Sequence, residues 1–423
     1  MRFLREKKIF TLTAGFAFGC SGFLYAQSSS SNFNNIGQAT SGKNINTITT
    51  AVPFLTIAPD SRSGGMGDAG VASSPDASSL DWNCSKLAFI DKKMGFTVSY
   101  TPWLRALVPD INLAYISGYY KLKNDQAISA SLRYFSLGSI TFTNAAGNAT
   151  GQFNPNEFAL DFGYAKKLSD RWSGGMAMRY IYSNLTGGQT VASGQTTHPG
   201  RSIAADINAF YQNSDITISG KKSILRAGIN ISNIGAKMSY SSSTETDFIP
   251  TDLRLGSSFT IKTDQYNSFT FMVDASKLLV PTPPVYYQSK KTGTDSVNAN
   301  GYVILAGKDP NVGVVTGMMQ SFYDAPGGAL EEFHQIDWSF GTEYWYNQEF
   351  AIRLGYFYEN KYEGDRQYVT LGAGLKYEVF SLDLAYLIPT QINNPLAHTL
   401  RFTMNFDMDA FKNQNKKDAS ATN

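Results

Sequence analysis

The sequence predicts an all-β fold, a transmembrane antiparallel β-barrel of about 14 strands with an N-terminal plug or hatch segment. Three observations carry that prediction. Between Met94 and Asp407, short segments alternate large apolar with small or polar side chains. Their connectors run tight, then long, then tight again, and the face opposite the apolar one repeatedly holds a charge or an amide.

The chain opens with Arg2, Arg5, Lys7 and Lys8, then the apolar run Ile9 to Tyr25, then Ala26 before the polar Gln27-Ser28-Ser29. That order reads as an export signal over 1–26, followed at 27–50 by a Ser/Asn/Thr/Gly tract expected to be a flexible leader. Residues 51–92 are not strand-like. Their clustered Gly64, Gly65, Gly67 and Gly70 allow close backbone packing in a confined space, as a hatch inside a barrel requires. Cys20 lies in the signal and Cys84 stands alone, so the mature chain has no pair to form an internal disulfide.

Strands are expected to begin near Gly95, Asn112, Gln126, Glu157, Arg171, Ser202, Ser223, Asp252, Ser268, Gln335, Gln348, Gln367, Val379 and Thr399. The second and sixth alternate least cleanly. Most run roughly 9–11 residues, the length a tilted strand needs to cross a bilayer. Arg133, Asp161, Arg179, Asp206, Asn230, Arg254, Asp274, Arg353, Lys376, Asp383 and Arg401 all fall on the inward face. Being of mixed sign, they are expected to pair with one another and fill the interior rather than select ions. Gly372 and Gly374 sit mid-strand, where glycine relieves crowding or curves a sheet.

Tight turns fall at 123–125, 168–170, 263–265, 347–348 and Glu378, whereas 138–156, 183–200, 234–250 and above all 277–334 are long. The connector 213–222 is less tight than its position requires. Outer-membrane barrels keep short turns in the periplasm, which places the chain in the outer membrane of a Gram-negative bacterium with both termini periplasmic. The barrel then occupies 93–407, with 277–334 as a long outer loop and 408–423 as a periplasmic tail.

Removal of the signal leaves 32 basic against 33 acidic side chains, which gives no electrostatic case for nucleic acid. Outside the signal, no apolar run reaches the ~18 residues of a membrane helix. His198, His334 and His398 are scattered, and neither a metal-ligand spacing, a nucleophile elbow nor a phosphate loop occurs. No catalytic residue, cofactor or metal site is therefore predicted; Glu331-Glu332 beside His334 reads as solvated loop. Two apolar groups stand out as partner-binding candidates. Trp103, Leu104, Leu107 and Val108 lie in the first outer connector, where they form a contact surface or else pack over the barrel mouth. Pro283, Val285, Tyr286 and Tyr287, with Phe322 and Tyr323, lie in the long loop, which reads as a partner surface or a folded-over lid.

The hatch residues Arg62, Gly65-Met66-Gly67, Asp68, Asp76, Trp82-Asn83 and Leu87-Ala88 resemble the hatch of the FadL-like outer-membrane transporter superfamily, with Asn83-Cys84-Ser85 in place of the usual Asn-Pro-Ala. Within it, Val52-Pro53-Phe54-Leu55, Pro59-Asp60-Ser61-Arg62, Ser99-Tyr100-Thr101-Pro102-Trp103-Leu104 and Leu107-Val108-Pro109-Asp110 are most similar to the PorV (LptO) family of the type IX secretion system. That resemblance implies a non-enzymatic barrel in the lipid bilayer. It would take secreted cargo by its C-terminal domain from the type IX translocon barrel to a sortase-like attachment complex. The alternatives are a FadL-like passage for hydrophobic small molecules and a purely structural or adhesive barrel.

Overall fold

Fourteen antiparallel strands close into one barrel in the computed structural model, which describes residues 45–105, 108–143, 146–189, 196–241, 246–287, 297–298, 301–391 and 394–411. The expected signal, the expected leader up to residue 44, Leu107, part of the long loop and the expected tail from 412 lie outside the described residues. In chain order the barrel strands are β1 (Met94–Pro102), β2 (Ile111–Lys121), β3 (Gln126–Leu137), β4 (Asn156–Lys167), β5 (Trp172–Asn184), β6 (Gly200–Ile218) and β7 (Lys221–Gly235). They continue with β8 (Asp252–Lys262), β9 (Asn267–Leu278), β10 (Ile336–Tyr346), β11 (Phe350–Tyr358), β12 (Gln367–Tyr377), β13 (Phe380–Pro389) and β14 (Leu400–Asp407). β1 pairs with β14 from Gly95↔Asp407 to Tyr100↔Phe402, so no sheet edge is left open.

The alternation predicts each strand's two faces correctly. Leu132, Phe162, Met178, Ile203, Leu354 and Phe402 are exposed on the outer wall. Arg133, Asp161, Arg179, Arg353, Asp383 and Arg401 are buried inside. A charged interior under an apolar exterior is inverted for water and right for hydrocarbon. Lys376 keeps the inward parity and lines the turn-end cavity, but it is exposed at the mouth near the end of β12.

One end of the barrel carries short turns. Asn124-Asp125 and Asn347-Gln348 both take positive φ, the left-handed pair that matches the twist of a hairpin. The 213–222 connector is also tight: β6 and β7 extend past their neighbours and turn on Ser219-Gly220 alone, with φ of 52° and 78°. The other end carries the long loops. There, small hairpins pair Ile140–Thr143 with Ala149–Phe153 and Val285–Tyr286 with Ile304–Ala306, and two helices form over Val314–Gln320 and Ala329–His334.

Residues 45–92 run through the bore, from the loop end to the turn end. Asn46 donates from its backbone to the Tyr362 carbonyl at 2.9 Å and from its side chain to Glu331 at 2.7 Å, and Ala51 donates to the Phe248 carbonyl at 2.9 Å. Phe54 and Leu55 then fill one half of the upper lumen against Leu113, Phe135, Ile181 and Met238. Short helices at Ser61–Gly64 and Ser79–Asn83 cross the middle. A 3-10 segment, Cys84–Phe89, brings Leu87 and Ala88 onto Tyr119, Ala127, Ala165 and Ala177 near the turn end, where β1 begins. Of the stretch expected to be a flexible leader, the described part begins at Ile45, and its Asn46 is hydrogen-bonded into the loop end. The N-terminus, expected in the periplasm, lies outside the described residues; the described chain enters the bore at the loop end, opposite Asp407.

Candidate functional site

Why does the plug stay in the bore? Arg62 places its guanidinium on Glu343 through two hydrogen bonds of 3.0 and 2.9 Å and on Asp76 at 2.8 Å. Glu343 also receives Arg353 at 2.8 Å, and Arg353 reaches Asp383 at 2.7 Å. One buried chain of alternating charge thus ties β10, β11 and β13 to the plug. Such groups are expensive to bury and more expensive to leave unpaired, so each locks the next in place. Arg133 meets Asp81 and the Leu55 carbonyl, Arg401 meets Asp68, and Tyr368 donates to Asp68 at 2.6 Å. Asp274 accepts the Gly70 and Val71 amides at 2.7 and 2.9 Å. Away from the plug, Arg179 pairs with Asp161 at 2.6 Å and Asp206 at 3.3 Å. Of the inward charges predicted from parity, Arg133, Asp161, Arg179, Asp206, Arg254, Arg353, Asp383 and Arg401 are in internal ion pairs, whereas Asp274 is held by backbone amides.

The predicted hatch residues come together here. Gly67 sits at φ 70° with its amide on Thr370 Oγ1 at 2.9 Å, directly against the backbone of β11. Met66 is fully buried beneath Gly341, and Gly65 lies against Gly372. Trp82 donates to Asp60 at 2.7 Å and lies under the Arg254 guanidinium, while Asn83 donates to the Ala209 carbonyl at 3.0 Å. Glu343 was missing from the expected inward set. It shares the parity of Ser339 and Gly341, and that was the signal available.

The wall accepts the plug through glycines. A Cβ at Gly355 would stand 1.9 Å from the Gly67 nitrogen, and one at Gly341 would stand 2.7 Å from Met66 Cβ. Gly228 and Gly256, cross-strand partners, do the same for Val71. These glycines have lost their side chains to another backbone, which is more specific than relief of crowding.

At the loop end the apolar candidates separate. Trp103 and Leu104 are half-buried and pack on Phe357, Tyr368, Leu387 and Leu396, so they roof the lumen instead of forming a free patch. Val108 is exposed, and Leu107 is outside the described residues. Pro283, Val285 and Tyr286 are half-buried in the stem of the long loop, whereas Tyr287, Phe322 and Tyr323 are exposed. Val315 and Met319, one turn apart on the helix Val314–Gln320, join them, as do Leu330 and Phe333. Sequence reading missed Val315, Leu330 and Phe333 because the loop gave no helical period long enough to register. The stem is firmly built: Lys277 reaches Glu332 at 2.9 Å and Gln335 at 2.6 Å, and Thr282 bonds Asp324 at 2.7 Å. Burial among these groups raises Asp324 above the usual carboxylate range. Among the described residues, no group of three or more His, Cys, Asp or Glu side chains is arranged to hold a metal ion, and Cys84 is a buried free thiol.

A family model described as type IX secretion system protein PorV matches residues 40–285, more than half of the chain. The chain belongs to the PorV family. That match spans the plug and β1 to β9, and makes the protein an outer-membrane barrel component of type IX secretion. No curated protein matches the chain. Among solved structures, the Pseudomonas putida toluene transporter TodX is 12% identical with a TM-score of 0.46, over 86% of this chain and 98% of that one. The Ralstonia pickettii toluene transporter TbuX is 10% identical with a TM-score of 0.44, over 82% and 96%. A Pseudomonas aeruginosa FadL homologue is 11% identical with a TM-score of 0.43, over 86% and 99%.

Proposed function

We propose that this PorV-family barrel is a non-enzymatic carrier of secreted proteins. It would bind cargo by its C-terminal signal domain at the loop end, leave the translocon barrel with it, and deliver it to a sortase-like attachment complex. In this reading the long loops face outside and the short turns face the periplasm, with the C-terminal strand ending there. The family match carries the reading, and the locked bore supports it: a lumen filled by a salt-bridged plug is a scaffold, which leaves the loop face as the working surface. Tyr287, Val315, Met319, Phe322 and Tyr323 are the exposed apolar groups there that a partner would cover.

A passage for hydrophobic small molecules would need a continuous apolar route and a break in the wall. The plug instead separates a cavity of about 260 Å³ at the turn end from one of about 450 Å³ at the loop end. Both are lined by carboxylates and guanidinium groups, and among the described barrel strands register is interrupted only by bulges between β6 and β7. Deletion of the gene is expected to leave type IX cargo in the periplasm or released unattached. Normal surface display in the deletion strain would rule the carrier reading out.

A further inference from the structure

The upper lumen is divided. Phe54, Leu55 and their apolar neighbours fill the side of β2 to β7. The side of β8 to β12 holds the 450 Å³ cavity, roofed by the strap 47–56 and floored by Trp82, with the exposed Thr47, Thr49 and Gly364 at its rim. Six carboxylates but only two guanidinium groups line it. Asp252 is answered by Arg254 at 2.6 Å, Glu359 by Arg366 at 2.7 Å, and Asp68 by Arg401 from outside the cavity. Three remain without a cation of their own. Asp337 has only a share of Arg366, at 3.6 Å. Asp274 Oδ1 has no hydrogen-bond partner, and neither has Glu363 Oε1, although Glu363 is only 7% exposed. A buried acceptor with nothing to accept from is a vacancy for a donor.

The donors that fit are constrained by spacing. The three carboxylates come from β9, β10 and the loop after β11, and among the described residues no three such groups are placed to hold a metal ion. Leu278 and Phe357 line the same cavity, apolar surface that suits methylene groups. We propose that this cavity binds an aliphatic diamine or polyamine, with ammonium groups on Asp337 and Glu363 and the hydrocarbon chain against Leu278 and Phe357. The volume is in the range of small-ligand sites.

Binding would be linked to protons. Glu363 faces Glu359 on its own loop, Glu331 and Glu332 from the helix Ala329–His334, and Lys277 from β9; burial first, then Glu331, pushes its carboxyl up to about 8. An arriving ammonium restores the ionised form and expels the proton.

The test is titration calorimetry of the full chain in detergent with putrescine, whose amines, like that of lysine, stay charged to about pH 10. Saturable binding is expected, tighter at pH 8 than at pH 6.5 and accompanied by proton release below pH 8. Glu363→Gln, on a loop outside the spanning strands, and Asp337→Asn should each weaken it at least about tenfold, a loss of one buried charge contact. Magnesium and a diol of equal chain length should not compete. Absence of saturable binding by the wild type overturns the proposal, as do displacement by magnesium or unchanged affinity in both folded variants.

Discussion

Gly355→Ala tests whether the plug and the wall are one packed body. The new Cβ would lie 1.9 Å from the Gly67 nitrogen and 2.1 Å from the Met66 carbonyl carbon, both backbone atoms. Ordinary contact begins at 3.4 Å, so the plug must retreat by about 1.5 Å. That retreat stretches the 2.9 Å bond from the Gly67 amide to Thr370 and strands a buried donor. Overpacking costs about 1–3 kcal/mol and an orphaned donor about 1–3 kcal/mol more. Loss of glycine's entropy in the unfolded chain returns only about 0.4–1 kcal/mol. The net expectation is destabilisation of roughly 3 kcal/mol, some two decades in the folding equilibrium. Urea unfolding in micelles, followed by Trp fluorescence because Trp82 is in the plug, reads it alongside heat-modifiable gel mobility. Gly174→Ala is the control, since its Cβ would meet only Leu168 at 3.4 Å and should stay within about 0.5 kcal/mol of wild type. A Gly355→Ala midpoint equal to that of wild type would refute the reasoning.

Other expectations follow from the same geometry. Glu343→Gln leaves Arg62 and Arg353 facing each other without their shared anion and should cost about 3–5 kcal/mol in the same unfolding assay. Leu354→Arg, on the outer wall, should cost about 2–4 kcal/mol when folding is measured into liposomes; no effect there would argue against lipid covering that face. Ile45→Cys, at a residue 79% exposed, should react with a membrane-impermeant maleimide on intact cells, whereas Asp215→Cys at the turn end should react only after permeabilisation. Glu363 has its carboxyl raised from 4.5 to about 8, so the folded protein binds the extra proton between those values and loses stability as pH rises across them. Glu363→Gln should remove that slope, and its melting temperature should gain on wild type from pH 5 to pH 8.

Parity made the barrel legible. Arg133, Arg179, Arg353 and Arg401 each sit one residue from a large apolar side chain, and a period of two leaves such a pair only one arrangement in a membrane. The hatch was legible as a composition, since Gly64, Gly65, Gly67 and Gly70 suit no strand. Its mates were not. Gly341 and Gly355 look like indifferent positions in a strand until the opposing backbone of Met66 and Gly67 is placed. The roofing role of Trp103 and Leu104 was equally closed to sequence, because a loop has no periodicity to say which way a side chain turns. Nor does any local signal record that residue 45 and the start of β1 lie at opposite ends of the bore. That is a property of the path, fixed by contacts such as Asn46 with Tyr362, far apart in the chain.

The threaded N-terminal segment constrains assembly. A polypeptide that crosses the bore before its first strand cannot be inserted afterwards into a finished cylinder without dragging its free end through the width of the membrane. The seam between the first and last strands, six residue pairs from Gly95↔Asp407 to Tyr100↔Phe402, must therefore zip shut around a core already seated. Arg401 stands in that last strand and grips Asp68. Closure of the cylinder and capture of its stopper are one event, and whatever machinery folds this chain has to hold the seam open until the segment is inside.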